Sequence, residues 1–206
     1  MNGPVPAAPP SGPWAVLSDL GGAALAARAA AAQAAGAVAL TVRRPRPPLA
    51  AVLAALRAAP GFRAVHADPA LAAAAEADAV IAGVRSLPTE VLVRGFPELL
   101  VGASVHDLDE ARRARDAGAR FLLFGPVWDT PEKRGVLDPR GPAALAEVVA
   151  LGLPVVAIGG VDRPDRVAAV AAAGGHAFAA LRAAADPVRF APMVSAWRSA
   201  RMGGTG

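Results

Sequence analysis

The chain has 206 residues, enough for one domain with a substantial buried core. It is 54% hydrophobic, but much of that is alanine, and charged residues or glycine break every apolar stretch before the roughly 18 residues that a membrane span needs. There are no cysteines, which excludes disulfides, thiolate metal sites and cysteine nucleophiles; the net charge is only +4, and a pI near 11.1 reflects arginine's very high pKa.

The basic residues are spread along the chain, aromatics make up 4% and tyrosine is absent, a pattern that argues against a nucleic-acid surface. Residues 1–13 have neither a basic n-region nor an apolar h-region; they read as a disordered Pro/Gly/Ala leader, and a cytoplasmic location is the default. The folded domain is expected over 14–201, with 202–206 as a disordered tail.

From there the chain alternates between short Val/Leu/Ile/Phe runs and Ala/Arg-rich stretches. A strand is predicted over Trp14–Ser18 and a helix over Ala23–Ala35, then a strand over Ala37–Val42 and a helix over Leu49–Ala58. The third and fourth units pair Phe62–His66 with Pro69–Ala75 and Ala79–Ile81 with Pro88–Arg94. The fifth pairs Leu99–Ala103 with Asp107–Ala117, and the sixth Phe121–Phe124 with Pro142–Ala150. Val155–Ile158 with Arg163–Ala173 and Ala177–Ala180 with Pro187–Arg201 complete the series. Asp107, Asp162 and Asp186 stand where helix N-caps are expected, the last two just ahead of a first-turn proline. Continuous apolar strands alternating with helices indicate a parallel sheet covered by helices, and eight units in this length predict a compact α/β (β/α)8 TIM barrel.

In such a barrel the loops after the strands build the active site. Gly159-Gly160-Val161-Asp162 follows the seventh strand; two glycines let backbone N–H groups approach a phosphate, and Arg182 after the eighth strand adds a guanidinium fork. A tight turn and a surface arginine is the plainer reading. Ser104 and His106 project to one side at the end of the fifth strand, and a histidine that titrates near neutrality can carry a proton. The alternative for His106 is a capping or solvated loop residue. His66 ends the third strand, whereas His176 lies on the opposite rim as a structural residue. Loop 125–135 carries Trp128, Thr130 and Lys133, the chain's sole lysine; it reads either as a lid over an anionic substrate or as a solvated loop.

Four segments carry a family resemblance: Ala15-Val-Leu-Ser-Asp19, Gly102-Ala-Ser-Val-His106, Phe124-Gly-Pro-Val-Trp-Asp-Thr-Pro-Glu-Lys133 and Val156-Ala-Ile-Gly-Gly-Val161. Together they resemble the thiamine phosphate synthase/TenI family over about Trp14 to Ala185. The resemblance implies one of two chemistries: a magnesium-dependent synthase that joins a pyrimidine diphosphate to a thiazole phosphate, or a metal-free thiazole tautomerase that moves a proton on a thiazole carboxylate phosphate. Where the synthases carry Arg-Glu-Lys, Asn-Asp and Glu-Asp-Leu-Pro after strands two, three and four, this chain has Arg43-Arg44-Pro45, His66-Ala67 and Arg85-Ser86-Leu87-Pro88. Both aspartates that would hold magnesium are replaced, by Ala67 and Ser86; Asp68 lies one position beyond, and an acid, Glu132, stands before Lys133. The leading expectation is therefore a TenI-like tautomerase with no cofactor and no metal ligands. His106 is its acid/base, Gly159, Gly160 and Arg182 bind the phosphate, and Arg43, Ser104, Thr130 and Lys133 contact the phosphorylated thiazole. A divergent magnesium-dependent synthase and a non-catalytic phosphate-binding relative are the alternatives. Pairing through outer helices makes a homodimer the default assembly; no nucleic-acid or membrane partner is expected.

Overall fold

Each apolar run becomes a strand and each Ala/Arg-rich stretch a helix. A computed structural model describes residues 5–130 and 137–203. In chain order the elements are β1 (Gly12–Ser18), α1 (Gly22–Ala34), β2 (Ala39–Arg43), α2 (Leu49–Ala58), β3 (Phe62–His66), α3 (Pro69–Ala74), β4 (Ala79–Ala82) and α4 (Thr89–Gly95). There follow β5 (Leu100–Val105), α5 (Leu108–Asp116), β6 (Phe121–Phe124), α6 (Gly141–Val149), β7 (Val155–Ile158), α7 (Pro164–Ala172), β8 (Ala177–Ala180), a 3-10 turn (Ala183–Ala185) and α8 (Pro187–Met202). The strands pair in parallel, β1 through β8, and β8 returns to β1 to close the barrel. No helix among the described residues is long and apolar enough to cross a membrane.

Strand alternation splits the core into an interior and a shell. Inside the barrel, Trp14 packs between Phe62 and Phe121 with ring centroids 5.4 and 5.9 Å apart, and a Cβ at Gly102 would run into the Phe121 ring. Outside, alanines such as Ala29, Ala72 and Ala111 line the helix faces, so that helices lie close on the strands. Phe178, Phe190 and Trp197 fasten α8 to β8.

The lower rim holds part of the segment read as a leader. The described part of that segment includes buried Pro9, and Ser11 donates to the His176 carbonyl at 2.7 Å. Trp14 Nε1 donates to the Pro10 carbonyl at 3.1 Å, and His176 Nε2 lies 2.9 Å from that of Pro9. Nothing in a Pro/Gly/Ala composition announces this docking, because its partners come from β1 and from the turn before β8.

Candidate active site

The mouth at the C-terminal strand ends is built by side-chain parity. Val16, Thr41 and Ala64 are register partners facing the interior. Two residues further along the same three strands stand Ser18, Arg43 and His66; on β5 the same step from Gly102 gives Ser104, and a further step gives His106. Of these side chains, Arg43, His66, Ser104 and His106 emerge around one cavity of ≈ 130 Å³, whose lining also includes Thr130 and Arg182, together with Gly159 and Gly160. Every residue expected to touch ligand thus borders this space, except Lys133, which with Glu132 lies outside the described residues.

The glycine pair has a packing reason as well as a ligand-facing one. Gly159 and Gly160 have φ of +89° and +68°, and a Cβ on either would come within 2.6 Å of Pro126 or Trp128. Val127 N–H donates to the Ile158 carbonyl and Trp128 N–H to that of Gly159, both at 3.0 Å, so the loop after β6 lies directly on the turn after β7. Arg166 completes the clamp. Its guanidinium donates to the Gly160 carbonyl at 2.7 Å and to Asp162 at 3.0 Å, with its centre 5.4 Å from the Trp128 ring centroid. Asp162, expected as a helix cap, pairs with Arg166 instead, and Arg163 is the N-cap of α7. Arg166 was not singled out from sequence; its spacing of four from Asp162 was the available signal.

At β5 the cap geometry orients a histidine. Asp107 accepts from the Glu110 N–H at 2.8 Å, as its N-cap position predicts. The Glu110 carboxylate turns back to accept the His106 backbone N–H at 2.7 Å and meets His106 Nδ1 at 3.0 Å. With Nδ1 so engaged, Nε2 is the nitrogen left to face the cavity. His106 is therefore held by the start of α5, through a glutamate four residues further on.

A second cavity, of ≈ 230 Å³, opens beside the first over the ends of β2 to β5. The two share Arg43, His66, Ser104 and His106, while Arg44 and Arg85 border the second. Asp19, Arg44 and Ala67, each directly after one of the first three strands, have positive φ of 60°, 47° and 61°. Such backbone costs on the order of 1–3 kcal/mol per residue and clusters at functional sites. Asp19 accepts from Ser18 at 2.6 Å and from Arg44 at 2.7 Å; the Ser18 hydrogen bond, aided by Arg44, holds its carboxyl below the usual range. Burial, reinforced by the charge of Arg43, lowers His66 to about 3, so its ring is neutral, and its buried Nε2 has no hydrogen-bond partner among the described residues.

The family model described as thiamine monophosphate synthase matches residues 19–184, a span that contains every lining residue of both cavities except Val16. This chain is a member of that family. Its relatives include the thiamine-phosphate synthase of Anaeromyxobacter dehalogenans, 47% identical over 122 residues, which cover 57% of this chain and 54% of the relative. The thiamine-phosphate synthase of Myxococcus xanthus is 41% identical over 140 residues, 65% of this chain and 63% of that one. The matched part is thus under two thirds of either relative. Among solved structures, a thiamine phosphate pyrophosphorylase from Pyrococcus furiosus superposes with a TM-score of 0.75 at 28% identity, covering 94% of this chain and 96% of that one.

These relatives overturn the tautomerase expectation, since they carry the synthase name rather than an isomerase's. That expectation treated two lost aspartates as deciding which reaction occurs. Their loss speaks instead to how charge is neutralised, a separate question from which bond forms. On that question the fit to magnesium fails. Ala67 has no donor atom, and the Ser86 hydroxyl is engaged with Gly83 and Leu87 at 2.7–2.9 Å. The Asp68 carboxylate caps α3 through the Leu71 N–H at 2.8 Å. Among the described residues no group of three or more His, Cys, Asp or Glu side chains is placed to hold a metal ion.

Proposed function

We propose that this chain is a transferase of the thiamine phosphate synthase type, joining hydroxymethylpyrimidine diphosphate to a thiazole phosphate. The carbon–oxygen bond between the pyrimidine's methylene group and the diphosphate breaks, and its electron pair leaves on the diphosphate. The thiazole ring nitrogen forms the new carbon–nitrogen bond with its lone pair and becomes the cationic thiazolium nitrogen. Thiamine phosphate and diphosphate are the products, and no proton is needed to balance the step.

The observation that carries this reading is the pair of adjoining cavities with Arg43, His66, Ser104 and His106 between them. A reaction of one substrate needs one anion site, whereas joining two phosphorylated substrates needs two that meet at the reacting atoms. The first cavity takes the thiazole phosphate on Gly159, Gly160 and Arg182, with Thr130 on its wall; the second takes the diphosphate. Ser104 and His106, the latter oriented by Glu110, fix the two rings where the new bond forms.

The test is to incubate the chain with both substrates, with and without magnesium, and to quantify thiamine phosphate and diphosphate chromatographically. Equimolar products are expected. Arg182→Ala should raise the KM for the thiazole phosphate about 10- to 100-fold, as loss of a charge-assisted hydrogen bond worth about 1.5–3 kcal/mol requires, with the KM for the diphosphate substrate little changed. No product under either condition rejects the transferase reading.

A further inference from the structure

The second cavity poses a question that the transferase reading leaves open: what neutralises a diphosphate where the described residues offer no ligand set for a divalent ion. Its walls carry three guanidinium groups, from Arg43, Arg44 and Arg85, and no carboxylate. The nearby acids are engaged elsewhere. Asp19 accepts from Ser18 and Arg44, Glu110 holds His106, and Asp68 caps α3. A second feature points to a ligand independently of charge. His66 borders the same space with a buried Nε2 that has no protein partner among the described residues, a group whose desolvation goes uncompensated until something polar meets it.

We infer that this cavity is a metal-free oxyanion subsite for the diphosphate group of the second substrate. Arg43, Arg44 and Arg85 supply the positive charge there, and His66 supplies a ring nitrogen to hydrogen-bond the anion. The inference rests on the transferase reading for the identity of the substrate, not for the existence of the site. Planar guanidinium forks match phosphate oxygens two at a time, so several of them stabilise a departing diphosphate at fixed geometry. Arg44 reaches the site while paired to Asp19, its side chain 51% exposed; an exposed pair of this kind is weak, and its remaining donors are available to an incoming anion. The chain position that bears a glutamate in the synthase pattern bears Arg85 here, so the exchange of a metal for arginines is written in three neighbouring loops rather than one.

The probe is inorganic pyrophosphate, titrated calorimetrically into the full chain in EDTA and again in magnesium. Binding in EDTA at least as tight as in magnesium is expected. The double variant Arg44→Ala/Arg85→Ala should weaken it by at least 30-fold, while Arg182→Ala changes it less than threefold. Arg85 is exposed and Arg44 largely so, so the double variant should keep its fold, which circular dichroism verifies. Pyrophosphate binding that EDTA abolishes, or a double variant that binds as the parent does, overturns the subsite. Product formation that strictly requires magnesium also overturns it while leaving the transferase reading intact. EDTA-resistant binding lost in the double variant, with no thiamine phosphate formed, sustains the subsite and removes the transferase reading.

Discussion

Gly160→Ala is expected to lower the melting temperature by roughly 6–12 °C and to remove phosphate binding from the first cavity. The backbone there has φ +68°, where a side chain other than hydrogen costs about 1–2 kcal/mol. The added methyl would also stand 2.6 Å from Trp128 Cβ and 2.9 Å from the Trp128 backbone. Trp128 cannot withdraw freely: its N–H is bonded to the Gly159 carbonyl, and the Arg166 guanidinium lies over its ring. Overpacking of this kind adds about 1–3 kcal/mol, and a total near 3 kcal/mol corresponds to that melting shift for a domain of this length. Gly152→Ala separates the two contributions. Gly152 has φ +85° but open space around a would-be Cβ, and it lies in the turn between α6 and β7, at the end of that strand opposite the mouth. It should lose only the conformational part and leave phosphate binding as it is. Equal melting temperatures for the two variants in calorimetry would remove the clamp between the β6 and β7 loops from this account.

What could be read from the sequence was whatever depends on local pattern. Phe62–His66, Phe121–Phe124, Val155–Ile158 and Ala177–Ala180 are strands with the predicted bounds, because a short, mostly apolar run between two helices has one good solution in a parallel barrel. The strand-end rule then delivered Arg43, His66, Ser104 and His106 to one mouth. What could not be read depends on who meets whom. Arg166 bridging Gly160 and Trp128, and Arg85 joining Arg43 and Arg44 across β2 and β4, are pairings of tertiary structure that no spacing announces. Glu110 reaching back four residues to His106 is local, and that spacing was the available signal. The replacement of the two aspartates by Ala67 and Ser86 was visible, but read as a loss it pointed to another reaction, whereas three arginines stand around the same space. The docking of Pro9 and Ser11 escaped for the same reason, since their partner His176 lies 167 and 165 residues away.

His66→Gln should flatten the acid limb of the stability curve. Burial, and after it the Arg43 charge, lowers the folded pKa of His66 from 6.5 to about 3, so the folded chain excludes a proton that the unfolded chain accepts. The stabilisation this confers is fully present above the unfolded value near 6.5. It falls away as pH drops from 6.5 toward 3, at up to about 1.4 kcal/mol per pH unit. At pH 4.5 the accumulated loss is about 3 kcal/mol, a large part of the 5–15 kcal/mol by which domains are usually stable. Glutamine keeps a polar head of similar reach but does not titrate. Urea denaturation at intervals between pH 6.5 and 4.5 should therefore give a shallower decline for the variant, with the two curves converging or crossing as the pH falls. Asp19, whose folded pKa is depressed by Ser18 and Arg44, contributes stability that is lost only as pH falls through its own lower range, so this window isolates the histidine from it. Parallel curves would mean that His66 takes up its proton in the folded chain as readily as in the unfolded one.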